Sequence, residues 1–196
     1  MKTFYSHLDR FNSAKEQDRK LIEDTIWQDY GLELAVMILD MSGFSLLVQR
    51  HGIIHYLGMV RRMQVACEPV VKQFGGQIVK FEADNLFATF LTSAKAVHAA
   101  VSINIAINAM NTITPDNQDL AVSIGIGYGR ILRIPEHDFF GNEVNLASKL
   151  GEDIASPREI LLTEAAKAST NDLDFETKAI TLNVSGVQIT AHKILY

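Results

Sequence analysis

A single cysteine, Cys67, stands among 196 residues. It excludes an intramolecular disulfide and a cysteine-built zinc centre, so neither cross-link is available to staple the chain. Proline is also scarce, at four, and no stretch of Pro, Gly or Ser reads as a linker, which makes one domain the working expectation. Positive charge is in deficit: 18 Lys and Arg stand against 23 Asp and Glu, a formal net charge of −5 at pH 7. That balance lacks the basic footprint of a surface that binds nucleic acid. Long apolar runs are missing too. The most apolar window, 94–110, is interrupted by Lys95, His98, Asn104 and Asn108 and is short for a bilayer crossing. Residues 1–31 hold no apolar core between a basic start and a small-residue cleavage site, so no secretion signal and a cytoplasmic location are expected. His51, His55 and His137 have no cysteine partners for a zinc site and read as surface or packing residues.

What is present is a composition near the globular average, 47% hydrophobic and 21% charged, enough to build a sizeable core. Leu21, Ile22, Ile26, Trp27 and Tyr30 fall on one face of a helix over 13–30 that Gly31 stops. Residues 1–31 are set apart on this basis as an N-terminal amphipathic helix, either a dimerisation or regulatory arm or a helix packed on its own domain. Residues 33–39 form a continuous apolar run ending at Asp40, as a strand buried on both faces reads. Helical periodicity over 44–74, interrupted by Gly52 and Pro69, predicts two consecutive helices or one kinked pair closing at Gly75 and Gly76. Residues 77–91 alternate on either side of Ala83, Asp84 and Asn85, a hairpin with Asp84 at its tip.

A helix over 94–111 follows. Segments 120–126 and 130–134 predict a second hairpin hinged on Gly125, Gly127 and Gly129. Beyond it come a helix over 139–150, a strand over 159–163 introduced by Pro157, and final strands within 175–196. Strands and helices alternate with hairpins interspersed, which predicts an α/β sandwich with a mixed sheet over 32–196.

Three segments carry candidate chemistry. Asp40 ends a buried strand and opens the loop Met41, Ser42, Gly43, Phe44, Ser45 ahead of a helix; Asp84 sits at the hairpin tip. Two carboxylates on adjacent strand ends suit a divalent ion, because Mg²⁺ takes a few carboxylate oxygens together with water and phosphates, and amides near a helix start suit the phosphates. The competing reading of each Asp alone is a turn or N-cap residue. In the third segment, 138–149, Asn145 and Lys149 are four residues apart on a helix and face the same way; the competing reading is a solvated helix face.

The order strand-Asp-x-x-Gly-Phe-Ser, Gly-Gly-x-x-x-Lys-x-x-x-Asp, and Asp-x-x-Gly-x-x-Val-Asn-x-Ala-Ser-Lys, over about 34–163, resembles the catalytic domain of class III nucleotidyl cyclases. The resemblance implies a ferredoxin-like α+β sandwich with a mainly antiparallel sheet. It implies Asp40 and Asp84 as ligands of two divalent ions per site, Mg²⁺ or Mn²⁺, with the amides of Met41 to Ser45 on the phosphates. Lys80 and Asp138 match the family's purine-reading pair and favour ATP over GTP. Asn145 matches the ribose-positioning asparagine, and Lys149 stands where the family has an arginine for the α-phosphate.

Lysine keeps that charge without the bidentate fork, which implies a slow enzyme. No cation occurs at 183–186, where the family often has a lysine for the terminal phosphates; Arg130 or Arg133 are the substitutes to consider. The family's site lies between two catalytic domains, so the expected unit is a homodimer, regulated by an unknown protein if at all. The expected reaction is ATP to cyclic AMP and pyrophosphate. The alternatives are a degenerate homologue that binds nucleotide or a partner without turnover, and a cyclase using another nucleoside triphosphate.

Overall fold

The computed structural model describes residues 2–42, 52–115, 119–134, 138–170, 174–184 and 187–196. Two helices, α1 (Lys2–Ser13) and α2 (Glu16–Tyr30), precede the first strand, β1 (Gly31–Met41). The N-terminal segment is thus two helices and not one: the chain breaks at Ala14 and Lys15, where Lys15 is extended. Phe4, Ile22 and Ile26 bury themselves against Ile134, so the pair is packed on the sheet. Gly31 ends α2 as expected, donating its N–H to the Trp27 carbonyl, and the strand begins at that same residue.

The remaining elements are α3 (Ile53–Gln73), β2 (Gln77–Glu82), β3 (Asn85–Phe90), α4 (Ser93–Asn111), β4 (Val122–Ile134), β5 (Asp138–Phe140), α5 (Asn142–Ser148), a π-helical turn (Lys149–Ile154), β6 (Ile160–Thr163), α6 (Glu164–Ala168), β7 (Glu176–Val184) and β8 (Val187–Leu195). The sheet runs β2-β3-β1-β4-β6-β8-β7, with β5 added to β4. Among the described residues only β4 and β6 pair in parallel; the other pairs are antiparallel. This is the expected mixed, mainly antiparallel sheet with helices on it.

Strand β1 is buried on both faces because two layers cover it. Ala35, Met37, Leu39 and Met41 enter the main core with Tyr56, Met59 and Met63 of α3 and Ala96 and Ile103 of α4. Val36 and Ile38 point the other way, to Ile131, Phe139 and Ala147. By the two-residue period of a strand, Asp40 follows Val36 and Ile38 onto the α5 side.

Several boundaries differ from expectation. Over 53–73 there is one helix, which runs through Pro69; residues 43–51 lie outside the described residues. The expected second hairpin is a single strand, β4, of 13 residues. Its glycines do not hinge the chain. They let a helix approach: a Cβ on Gly125 would collide with the Ala147 carbonyl and come within 2.6 Å of the Gly151 nitrogen, and a Cβ on Gly151 would lie 2.7 Å from the Ile38 carbonyl oxygen. Backbone therefore meets backbone where α5 and the π-turn cross β1 and β4. Helix α6 was not foreseen in the sequence; Thr163 caps it, its Oγ1 accepting from the Ala166 N–H at 3.1 Å.

Candidate active site

The register that pairs Leu39 with Leu86 carries the β2–β3 turn alongside the end of β1. Asp40 and Asp84 are thereby brought together. Burial first, then the charges of Asp84, Glu152 and Asp153, together raise the Asp40 carboxyl to about 7, against a hydrogen bond from the Met41 amide. Two neighbouring carboxylates are a suitable seat for a divalent cation, which relieves their repulsion and needs few protein oxygens when phosphates complete its shell. The donor set fits such an ion only in that shared form. Among the described residues no group of three or more His, Cys, Asp or Glu side chains is arranged to hold a metal by itself.

Tyr56, near the start of α3, is buried with its hydroxyl turned to Asp84. Burial first, then the Asp84 and Asp40 charges, push the phenol up to about 12, so it stays a neutral donor. Ser42 contributes less than expected, because its N–H already donates to the Ala121 carbonyl at 2.9 Å. Met41 is buried in the core. Gly43, Phe44 and Ser45 lie outside the described residues.

A second cluster forms around Lys80. It pairs with Phe87 across the hairpin, past an irregularity between Ile78 and Lys80, and its ammonium lies 4.8 Å from the Phe87 ring centroid. Phe87 meets Phe139 edge to face at 6.2 Å, an aromatic contact that draws β5 to β3. Asp138, the first residue of β5, is then 3.3 Å from Lys80 through Oδ2, while its Oδ1 accepts the Phe139 N–H at 2.9 Å. Glu82 also reaches Lys80, at 2.7 Å. Burial alone lowers the Lys80 ammonium, but the hydrogen bonds to Glu82 and Asp138 and their charges outweigh it and raise it.

The third cluster is helical. The Lys149 amide still donates to the Asn145 carbonyl, so one α-turn separates the two residues, as their spacing predicts. Asn145 is exposed, and Lys149 Nζ is 2.6 Å from Asp153 Oδ2. Glu152, one residue earlier, takes the Ser148 hydroxyl at 2.8 Å and the Asn85 side-chain amide at 3.4 Å.

The two arginines considered for the terminal phosphates have partners within the chain. Arg130 stacks on Trp27 at 4.6 Å and donates to its carbonyl; Arg133 donates to the carbonyls of Ile134 and Asp138. Cys67 is buried, which raises its thiol to about 12 and keeps it inert.

The sequence reading missed Tyr56, Glu82, Phe87 and Glu152. Glu82 was legible, being two residues from Lys80 on the same strand face; Phe87 and Glu152 depend on register and on the π-turn, which carry no sequence signal.

The family model of the adenylate and guanylate cyclase catalytic domain matches residues 29–194, and the chain belongs to that family. A Rhizobium meliloti (strain 1021) protein named "Putative adenylate cyclase 3" is 25% identical over 144 residues, covering 72% of this chain and 24% of that protein. This chain thus spans about a quarter of that relative's length. Among solved structures, an adenylate/guanylate cyclase/hydrolase from Silicibacter pomeroyi superposes with a TM-score of 0.71 at 26% identity, over 85% of this chain and 98% of that one. The guanylyl cyclase Cya2 shares the fold at 17% identity and a TM-score of 0.72, over 84% and 92%. No helix among the described residues is long and apolar enough to cross a membrane.

Proposed function

We propose that the chain is an adenylate cyclase, forming 3′,5′-cyclic AMP and pyrophosphate from ATP at sites shared by two copies. The observation that carries the choice of base is the Lys80 and Asp138 pair, 3.3 Å apart. A donor beside an acceptor complements the adenine edge, where N1 accepts and the 6-amino group donates. Asp40 and Asp84 of one copy would face Lys80, Asp138, Asn145 and Lys149 of the other, a two-fold arrangement with two equivalent sites.

Divalent ions held by Asp40 and Asp84, two per site, would lower the pKa of the ribose 3′-hydroxyl and offset the triphosphate charge. In the reaction the 3′-oxygen gives up its proton and bonds to the α-phosphorus as the bond to the bridging α,β-oxygen breaks. Asn145 holds the ribose for in-line attack. Lys149 meets the charge that builds on the α-phosphate, after leaving Asp153; both partners of that pair are largely exposed, so the exchange costs little, about 0–1 kcal/mol. Amides of residues 43–45 serve the phosphates.

Lys149 also motivates a second reading, a homologue that binds nucleotide without turning it over, because a lysine engaged with Asp153 lacks the bidentate fork of an arginine. Incubation of the protein with ATP, GTP, CTP or UTP and Mn²⁺, read by mass spectrometry, separates the two. Cyclic AMP above an Asp40→Ala control supports the enzyme; none above that control leaves the binding module.

A further inference from the structure

We propose that the cavity between α5 with its π-turn, α6 and β8 is a binding site for a small amphipathic amine, separate from the nucleotide site. Its volume is about 470 Å³, which falls in the range of small-molecule sites. It is lined by Leu146 and Leu150, one helical turn apart, by Ala165 and Ala168 of α6 and by Ile189 of β8. The charged groups among the lining residues are Glu143 and Glu164, both acidic.

These carboxylates are held in place. Thr163, only 4% exposed, donates its hydroxyl to Glu143 Oε2 at 2.6 Å, and the same oxygen accepts the Tyr128 N–H at 3.2 Å. Glu164 Oε2 lies 2.8 Å from His192 Nε2. Fixed acceptors of one sign beside an apolar surface match a ligand with a cationic N–H head on an apolar body. They oppose carboxylates and phosphates, so the cavity discriminates against a second nucleotide by charge.

The placement gives such a ligand leverage. Leu146 and Leu150 each follow by one residue Asn145 and Lys149, so a molecule wedged against the leucines bears on the helix that displays the other pair. A ligand coupled to that helix shifts turnover only through different affinities for its positions. This coupling rests on the cyclase reading; the binding does not.

The test uses 4-phenylbutylamine, with 4-phenylbutyrate as the same body bearing the opposite charge, titrated calorimetrically into the full chain. The amine is expected to bind saturably and at least about tenfold more tightly than the acid. Ala168→Trp and Ala165→Trp, both at exposed positions of α6, fill the cavity and should abolish amine binding while circular dichroism stays unchanged; Glu143→Gln should weaken it. Equal affinity for acid and amine, no saturable amine binding up to about 10 mM, or full affinity in both tryptophan variants would overturn the site. Amine that binds an active enzyme without altering cyclic AMP formation would overturn the coupling. A chain that makes no cyclic nucleotide at all defeats the cyclase reading, and the calorimetry still decides the site.

Discussion

Replacing Asp40 with asparagine should stabilise the metal-free protein while abolishing its chemistry. The folded state holds a proton on Asp40 up to about pH 7, whereas an unfolded carboxyl of this kind releases it near 3.8. Between those values the folded state binds more protons, so this group's contribution to stability falls as pH rises, and the penalty is complete above about 7. At pH 8 the displacement corresponds to at most about 4 kcal/mol, at about 1.36 kcal/mol for each pH unit. Water reaching the half-buried site screens part of this, and about 2 kcal/mol is the working figure.

The asparagine side chain keeps the shape of the aspartate and the oxygen that accepts the Met41 amide but cannot carry the charge. In EDTA at pH 8 the melting temperature of Asp40→Asn should exceed wild type by roughly 4–8 °C, and by less than half of that at pH 5. Mn²⁺ should raise the wild-type melting temperature and leave the variant unmoved. Scanning fluorimetry across the two pH values and two metal conditions reads all four states. A variant that melts at or below wild type at pH 8 in EDTA would refute the electrostatic reasoning, whatever its activity.

Lys149→Arg should be at least as fast as wild type in cyclic AMP formation, because it restores two parallel donors; a slower variant would count against the α-phosphate role of this position. Ala83 in the hairpin has φ of 51°, a left-handed conformation that costs a non-glycine residue about 1–2 kcal/mol. Ala83→Gly should therefore raise the urea midpoint by a net gain of up to about 1 kcal/mol after glycine's added chain entropy, and a lowered midpoint would contradict this. Gly125→Ala forces a methyl into the Ala147 carbonyl, and should cost about 1–3 kcal/mol in denaturant unfolding together with a fall in kcat; an unchanged kcat would show that the helix spacing is not needed for turnover.

The parts of the fold that were legible in the sequence are those where one period dominates. The run from Ala35 to Leu39 and the alternation around Asp84 each declare themselves locally. Glycine misled the reading of β4, because a small residue that admits a neighbouring backbone looks in sequence like one that bends its own. Proline misled the reading of α3 in the opposite sense, since the helix runs on through Pro69 to Gln73 although the ring forgoes one backbone hydrogen bond there.

Among the candidate groups, Lys80 and Asp138 are 58 residues apart in the chain and meet only through the Phe87 and Phe139 rings. The family resemblance joined them; periodicity could not. Glu152 and Tyr56 escaped notice because their relation to Asp40 and Asp84 arises from packing between elements, with no fixed spacing to mark it.

The contact of Gly125 with Gly151 has a bearing on how this protein tolerates change. Side-chain cores transmit each trimmed methyl as a small shift, but here the distance from sheet to helix is set by main chain against main chain, which has no shorter stop. Asn145 and Lys149 are therefore insulated from drift in the surrounding hydrophobic residues. Substitutions in the cores on either face can accumulate at the expense of stability while the height of this helix above β1 and β4 stays the same. The glycines at this crossing, Gly125, Gly127 and Gly151, lack that freedom.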